Sequence, residues 1–312
     1  MKVSLVVPCY NEEENIALFA KTAEEAMAGM DYEIIFINDG SKDNTIGELK
    51  KLVEAKRANI TVVDFSRNFG KEAGMYAGLQ KASGDYISFV DADLQQPISV
   101  AREMVEFLEE NPDYDAVACY QDERIEGKGL SFLKKGFYRI INMMCDIRFR
   151  EDASDFRTIR RKVADAILSM PEYHRFSKGI FAWVGYNTYY RPYEVQERHA
   201  GTTSWSTLKL FKYAIDGMIS FSTKPLKLAT GLGLFTSFCA IMYMIVVILQ
   251  KLIFGIDVPG YPTLVSLILL LGGVQLTVLG IIGEYLARVH MEVKNRPIFL
   301  ERGCYKCEKE SE

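Results

Sequence analysis

The chain has 312 residues, 37 Lys and Arg against 41 Asp and Glu, and 49% hydrophobic residues, with a mean hydropathy of zero. Such averages suggest an ordinary soluble protein of about two domains, but the distribution excludes that. Residues 1–120 carry a net charge of −11, residues 121–230 one of +7, and residues 231–312 balance to zero.

The first 120 residues alternate short β-branched runs with longer helical patterns. Strands are predicted at 3–7, 33–37, 60–63, 86–90 and 116–119, and helices at 13–27, 45–56, 71–81 and 100–109. This alternation predicts an α/β fold whose mostly parallel sheet is covered on both faces. The opening apolar run, Val3–Val7, is broken by Ser4 and ended by Pro8. It is too short for a signal-peptide core, so the N-terminal part is expected to stay in the cytoplasm. Cysteines at 9, 119, 145, 239, 304 and 307 form no disulfide framework, and Cys304-Tyr305-Lys306-Cys307 reads as an incidental pair of tail thiols.

Ligands of such sheets bind beyond the carboxyl ends of the strands. There the sequence places Pro8-Cys9-Tyr10-Asn11-Glu12-Glu13, Asn38-Asp39-Gly40-Ser41, Ser66-Arg67-Asn68-Phe69-Gly70-Lys71 and Asp91-Ala92-Asp93-Leu94-Gln95. Each alone also suits a turn or a helix cap. Together they gather carboxylates, a ring and two basic groups at one edge. Asp91 and Asp93 repel one another, and a hard divalent cation, Mg²⁺ or Mn²⁺, relieves that repulsion while completing its shell with phosphate oxygens and water. Gln95 can add a neutral oxygen.

Toward the C-terminus, Leu208 to Phe221 mixes apolar positions with Lys209, Lys212 and Asp216, a pattern suiting a helix at a membrane interface or one packed on the domain. Leu228 to Leu249 and Thr263 to Gly283 then carry no charge. At ~1.5 Å per residue, each run reaches about 32 Å, enough to cross a hydrocarbon core of about 30 Å. Lys224 and Lys227 precede the first run, and Arg288, Lys294 and Arg296 follow the second, so both termini are expected to be cytoplasmic. The expected organisation is a catalytic domain over 1–207, a juxtamembrane helix over 208–225, spans over 226–254 and 262–288, and a tail over 289–312.

With Ser154 to Arg157, His174 to Gly185 and Arg198 to Gly201, these motifs resemble the family 2 glycosyltransferases with the GT-A fold. The likeness is nearest to the polyprenyl-phosphate group of dolichyl-phosphate mannose synthases and bactoprenol glucosyltransferases, and it covers nearly the whole chain. The resemblance implies that Pro8, Tyr10, Glu12, Asp39 and Asp91 hold the nucleotide and that Asp91, Asp93 and Gln95 hold the metal. It gives Asp93 and Asp155 catalytic roles. A phosphate monoester acceptor is anionic near neutral pH and needs no general base. Arg124, Arg157 and Arg198 are therefore the expected acceptor-phosphate contacts, since guanidinium matches phosphate bidentately.

Two departures bear on that set: Gln121 and Arg124 stand where relatives often have two arginines three residues apart, and Ser204 replaces a common Lys. The implied activity is inverting transfer of a hexose, with glucose from UDP-glucose favoured, to undecaprenyl phosphate at a bacterial cell membrane. A homo-oligomer, such as a tetramer, is implied as well, and no nucleic acid partner. A processive polysaccharide synthase would need a Gln-x-x-Arg-Trp segment, which the sequence lacks. A non-catalytic nucleotide-binding scaffold would not need both Asp91 and Asp93.

Overall fold

The computed structural model describes residues 1–55, 59–121, 153–194, 217, 219–254 and 260–306. In chain order these form β1 (Lys2–Cys9), α1 (Ile16–Ala26), β2 (Asp31–Asn38), α2 (Thr45–Glu54), β3 (Ile60–Phe65), α3 (Lys71–Lys81), β4 (Tyr86–Phe89), α4 (Ile98–Glu110) and β5 (Ala116–Gln121). There follow β6 (Ala153–Arg160), α5 (Arg161–Leu168), α6 (Ser177–Trp183), β7 (Thr188–Tyr193), α7 (Lys224–Phe254), α8 (Tyr261–Val293) and β8 (Glu301–Lys306).

Eight strands make one sheet in the order β7-β5-β6-β4-β1-β2-β3-β8. Strands β3, β2, β1 and β4 run parallel, β5 and β7 share their direction, and β6 and β8 run against it. The mostly parallel sheet expected from the sequence is present. Strands buried on both faces read as unbroken apolar runs, and alternate residues supply two separate cores. Val3, Leu5 and Val7 face α1, α2 and α4 in one core. Val6, Ile35, Ile37 and Val63 face α3, α5 and α6 in the other.

The chain moves outward from β1 to β3, then returns to place β4 on the other side of β1. That reversal opens a crevice between the carboxyl ends of β1 and β4, where doubly wound sheets receive ligands. Antiparallel β6 then matters for the site. Its Arg157 pairs with Phe89, and the same register carried two residues further sets Asp155 opposite Asp91. The five elements from β6 to β7 and β8 lie beyond the strands and helices predicted from periodicity.

Helices α7 and α8 have 31 and 33 residues, about 47 and 50 Å at 1.5 Å per residue, so both are long enough to cross a bilayer and protrude from it. Both are also apolar enough, and their large side chains point outward, Leu234 at 70% and Leu276 at 72% exposure. Arg288 donates to Ser220 Oγ at 2.5 Å, Tyr285 Oη to the Ser222 carbonyl at 2.5 Å, and the Tyr173 amide to Glu292 Oε1 at 2.9 Å. The end of α8 is thus tied to the α/β domain and to the entry of α7.

The segment expected to be a tail instead continues as helix to Val293 and then adds β8 to the edge of the sheet against β3. Cys304, expected to be an incidental tail thiol, pairs with Val63 in that ladder; Cys307 lies outside the described residues. Strand β8 belongs to the same sheet as β1, so the chain returns to that sheet after the α7–α8 hairpin. Most of the expected juxtamembrane helix, residues 208–216 and 218, also lies outside the described residues.

Gly40 shows how tightly the strand ends are fitted. Its φ is +62°, and a Cβ there would lie 2.6 Å from the Asn68 nitrogen and closer still to the Arg67 carbonyl carbon. Gly29 has a similar φ of +83° with nothing within 4 Å. Gly29→Ala is expected to cost about 1–2 kcal/mol, the left-handed penalty alone. Gly40→Ala should cost clearly more, because backbone must move. Thermal unfolding of both variants in detergent checks this, and equal losses would contradict the close approach.

Candidate functional site

Strand-end loops build the site by binding one another. The Asn11 amide donates to Ser41 Oγ at 3.0 Å, the Lys42 amide to Asn11 Oδ1 at 2.8 Å, and the Glu12 amide to Thr45 Oγ1 at 2.8 Å. Glu13 Oε2 accepts the Asn44 amide at 2.7 Å, and Glu12 Oε2 accepts Asn15 Nδ2 at 2.6 Å. Asn11 takes a φ of 57°, a value asparagine tolerates better than most residues. The loops after β1 and β2 therefore form a single ledge. Pro8, near the end of β1, lies half-buried beside it, and Tyr10 stands outward at 41% exposure.

Asp39 is 4% exposed. Its two oxygens accept the Phe69 amide at 2.6 Å and the Gly70 amide at 2.9 Å. Burial raises its carboxyl above the ordinary value, and the two amides and Arg67 offset only part of that. Asp39 thus clamps the loop between β3 and α3. Gly70, at φ +96° and ψ 158°, turns the chain so that Lys71 begins α3 and faces the crevice.

Lys71 is the hub. Its ammonium lies 2.6 Å from Asp91 Oδ1 and 3.3 Å from Asp155 Oδ2. Burial opposes its charge, but Asp91 and then Asp155 outweigh burial and hold its pKa above the ordinary value, so it is a cation and not a base. For Asp155, burial is likewise outweighed, by Lys71 first and then Lys178 and Arg157, and the carboxyl is held below its ordinary range. It is ionised at neutral pH. Asp155 Oδ1 is buried and accepts no hydrogen bond among the described residues.

The second oxygen of Asp91 accepts Gln96 Nε2 at 2.9 Å, while the Asp91 amide donates to Gln96 Oε1 at 2.9 Å. Gln96, 5% exposed, therefore fixes Asp91. Asp93 Oδ1 accepts the Gln95 amide at 3.2 Å across a turn in which Leu94 has φ 60°.

Of the residues expected from the sequence, Asp91 and Asp155 come together through Lys71, Asp93 and Gln95 stand beside them on the same turn, and Asp39 supports the neighbouring loop. Arg157 is only 5% exposed, donates to the Ser154 carbonyl at 2.9 Å, and stacks 3.8 Å from the Phe181 ring centroid. It sits beneath the site. Arg124 and Arg198 lie outside the described residues.

Lys71 was among the strand-end basic groups read from the sequence but was given no role there, and Gln96, Glu72 and Lys178 were not singled out. The register of β6 and the start of α3 at a glycine turn were the signals that could have raised Lys71. Nothing in the one-dimensional pattern separated Gln96 from Gln95. Glu72 Oε2 accepts the Ser177 amide at 2.9 Å and also the Ser177 hydroxyl, pinning α6. Two residues on, in the same first turn, a Cβ on Gly179 would run into the Phe221 ring. Helix α6 thus bridges the carboxylates and the entry to the membrane hairpin.

Comparison with known proteins agrees with this architecture. Residues 4–168 match the glycosyl transferase family 2 domain, and residues 224–289 match the GtrB C-terminal hairpin. The chain is 44% identical over 305 residues to an uncharacterised glycosyltransferase of Synechocystis, covering 96% of this chain and 94% of the relative. It is 41% identical over 302 residues to a prophage-derived bactoprenol glucosyl transferase of Shigella flexneri, covering 96% and 97%. The solved glucosyl-3-phosphoglycerate synthase of Mycobacterium tuberculosis, in complex with Mn²⁺, uridine diphosphate and phosphoglyceric acid, shares the fold. Its TM-score is 0.50 at 17% identity, over 70% of this chain and 76% of that one.

Burial, and then the nearby Asp155, push Glu72 up to about 7 from an ordinary 4.5, with Ser177 and Arg175 offsetting part of the rise. The folded protein then binds more protons than the unfolded chain between those values, so this group's contribution to stability falls as pH rises from about 4.5 to 7. Glu72→Gln should remove that slope. Melting temperatures of both proteins at pH 5 and pH 7.5 should diverge in favour of the variant at the higher pH, and parallel curves would contradict the assignment.

Proposed function

Because the chain belongs to glycosyl transferase family 2, we propose that it moves a hexose, glucose from UDP-glucose, onto undecaprenyl phosphate at the cytoplasmic leaflet of a bacterial cell membrane, with inversion. The observation that carries this reading is the position of the Asp91, Lys71 and Asp155 cluster. It is joined through α6 to the juxtamembrane residue Phe221 and the start of α7. A phosphate carried on a lipid can reach such a site without leaving the bilayer surface.

A nucleoside diphosphate suits the ledge of Pro8, Tyr10 and Glu12, beside the loop that Asp39 holds. Among the described residues no cluster of three metal-binding side chains forms. A cation at Asp91 and Asp93, with Gln95 near, would therefore keep sites for phosphate oxygens and water, which fits Mg²⁺ or Mn²⁺. When bound, such an ion neutralises the diphosphate as it leaves.

The chain's own residues then do three things. Lys71 and Lys178 offset the carboxylates, so an anionic acceptor meets a less negative floor. Asp155 Oδ1, an open acceptor, suits a sugar hydroxyl and would orient the anomeric carbon toward the incoming phosphate. Arg157, beneath the site, adds positive potential, and Arg124 and Arg198 remain the proposed direct contacts for the lipid phosphate. The basic residues flanking the hairpin support a cytoplasmic side for both termini. A homo-oligomer, a tetramer, belongs to the same reading.

Purified protein given UDP-glucose, GDP-mannose and other donors with undecaprenyl phosphate should form a lipid-linked hexose, read by mass spectrometry, and glucose should be preferred. Asp93→Ala should lower the rate by about 10²-fold or more, and excess chelator should abolish it. Full activity in either case would overturn the metal assignment.

A further inference from the structure

The last described strand, reached only after both long apolar helices, touches the loop between β3 and α3 that Asp39 holds. Ser66 donates its amide to the Leu300 carbonyl at 2.9 Å, and its own carbonyl accepts Arg302 Nη2 at 2.9 Å. Arg302 also lies 3.7 Å from Asp64 Oδ2, a carboxylate whose side chain is 3% exposed. Its other oxygen accepts Asn38 Nδ2 at 2.7 Å, and Asn38 Oδ1 in turn accepts the Ser41 hydroxyl at 2.5 Å.

Phe299 stacks on Phe65 at 4.8 Å, and Phe65 meets Phe69 edge-on at 5.7 Å. Phe69 and Gly70 are the residues whose amides Asp39 holds, immediately before Lys71. The loop from Ser66 to Lys71 therefore has two walls. Asp39 forms the inner one, and the outer one comes from Phe299, Leu300 and Arg302, joined by a short linker to the end of α8.

We propose that Arg302 and Phe299 are positioning residues for nucleotide-sugar binding, holding the loop that presents Lys71 to Asp91 and Asp155. The inference rests on the donor-site reading above and adds to it that the site is completed from beyond the second span. Holding this loop before binding spares the donor the cost of ordering it, so loss of the outer wall falls on donor affinity and not on the chemical step.

Another ion pair, Lys81 with Glu301 at 2.9 Å, also fastens β8 but touches no residue of the loop. It separates simple docking of the strand from positioning. Calorimetric binding of UDP and of GDP in Mn²⁺, with donor KM and kcat, would be measured on the full chain in detergent.

Arg302→Ala should weaken nucleotide binding and raise donor KM about fivefold with kcat little changed. Arg302→Lys should recover most of the loss, and Lys81→Ala should match the wild type. Phe299→Leu, which keeps apolar volume but loses the ring stack, should move KM in the same direction and decides the matter if Arg302→Ala fails to fold. Wild-type affinity in Arg302→Ala or in Phe299→Leu, or an equal loss in Lys81→Ala, would overturn the inference. A wild-type protein that binds neither nucleotide would instead overturn the donor-site reading.

Discussion

A single ammonium, that of Lys71, lies between two carboxylates that the sheet brings face to face. At an effective dielectric of about 20, unit charges ~4 Å apart interact by about 4 kcal/mol, so Asp91 and Asp155 need a cation in place. The elements around them supply it. The reversal of strand order fixes where Asp91 stands, antiparallel β6 sets Asp155 opposite it, and the loop clamped by Asp39 delivers Lys71. Gln96 donates to the other oxygen of Asp91 and fixes its orientation. A ligand bearing phosphates and a divalent cation, as proposed, would enter a site whose negative charge is already partly balanced.

The same arrangement explains the connection to the bilayer. The first turn of helix α6 is pinned by Glu72 through Ser177, and two residues on its Gly179 lies against the Phe221 ring. Lys178, on the same helix, acts on Asp155. The hairpin of α7 and α8 enters beside this helix, and its far end is held by the Tyr173 amide on Glu292. Strand β8 then returns to the sheet. The membrane part is thus fastened to the catalytic part at both ends of the hairpin.

Much of this was legible in the sequence. The five predicted strands and four predicted helices of the first 120 residues are all present, with ends moved by a few residues, because parallel strands buried on both faces leave continuous apolar runs. The uncharged runs announced the long helices α7 and α8. The strand-end carboxylates pointed to one edge because a parallel sheet brings successive carboxyl ends to the same side.

What was not legible depends on pairing between distant segments. Strand β6 carries Asp155, Arg157 and Arg160 among apolar residues, a mixed pattern whose burial follows from the β4 register. Strand β8 reads as a charged tail, Glu301-Arg302-Gly303-Cys304-Tyr305-Lys306, and becomes a strand because the edge of β3 offers unpaired backbone groups. Arg157 looked like a surface phosphate contact, yet its place on β6 turns it under Phe181. The choice of Gln96 over Gln95 as the partner of Asp91 depends on the turn at Leu94, whose φ no local propensity announces.

On the proposed reading, Asp91 and Asp93 hold a divalent cation through which the donor's diphosphate binds. Isothermal titration of UDP into the full-length protein, in Mn²⁺ and then in excess chelator, tests it most directly. Binding should require the metal and be lost in the Asp91→Asn, Asp93→Asn double variant. Equal affinity with and without the metal, or undiminished binding by the double variant, would contradict it.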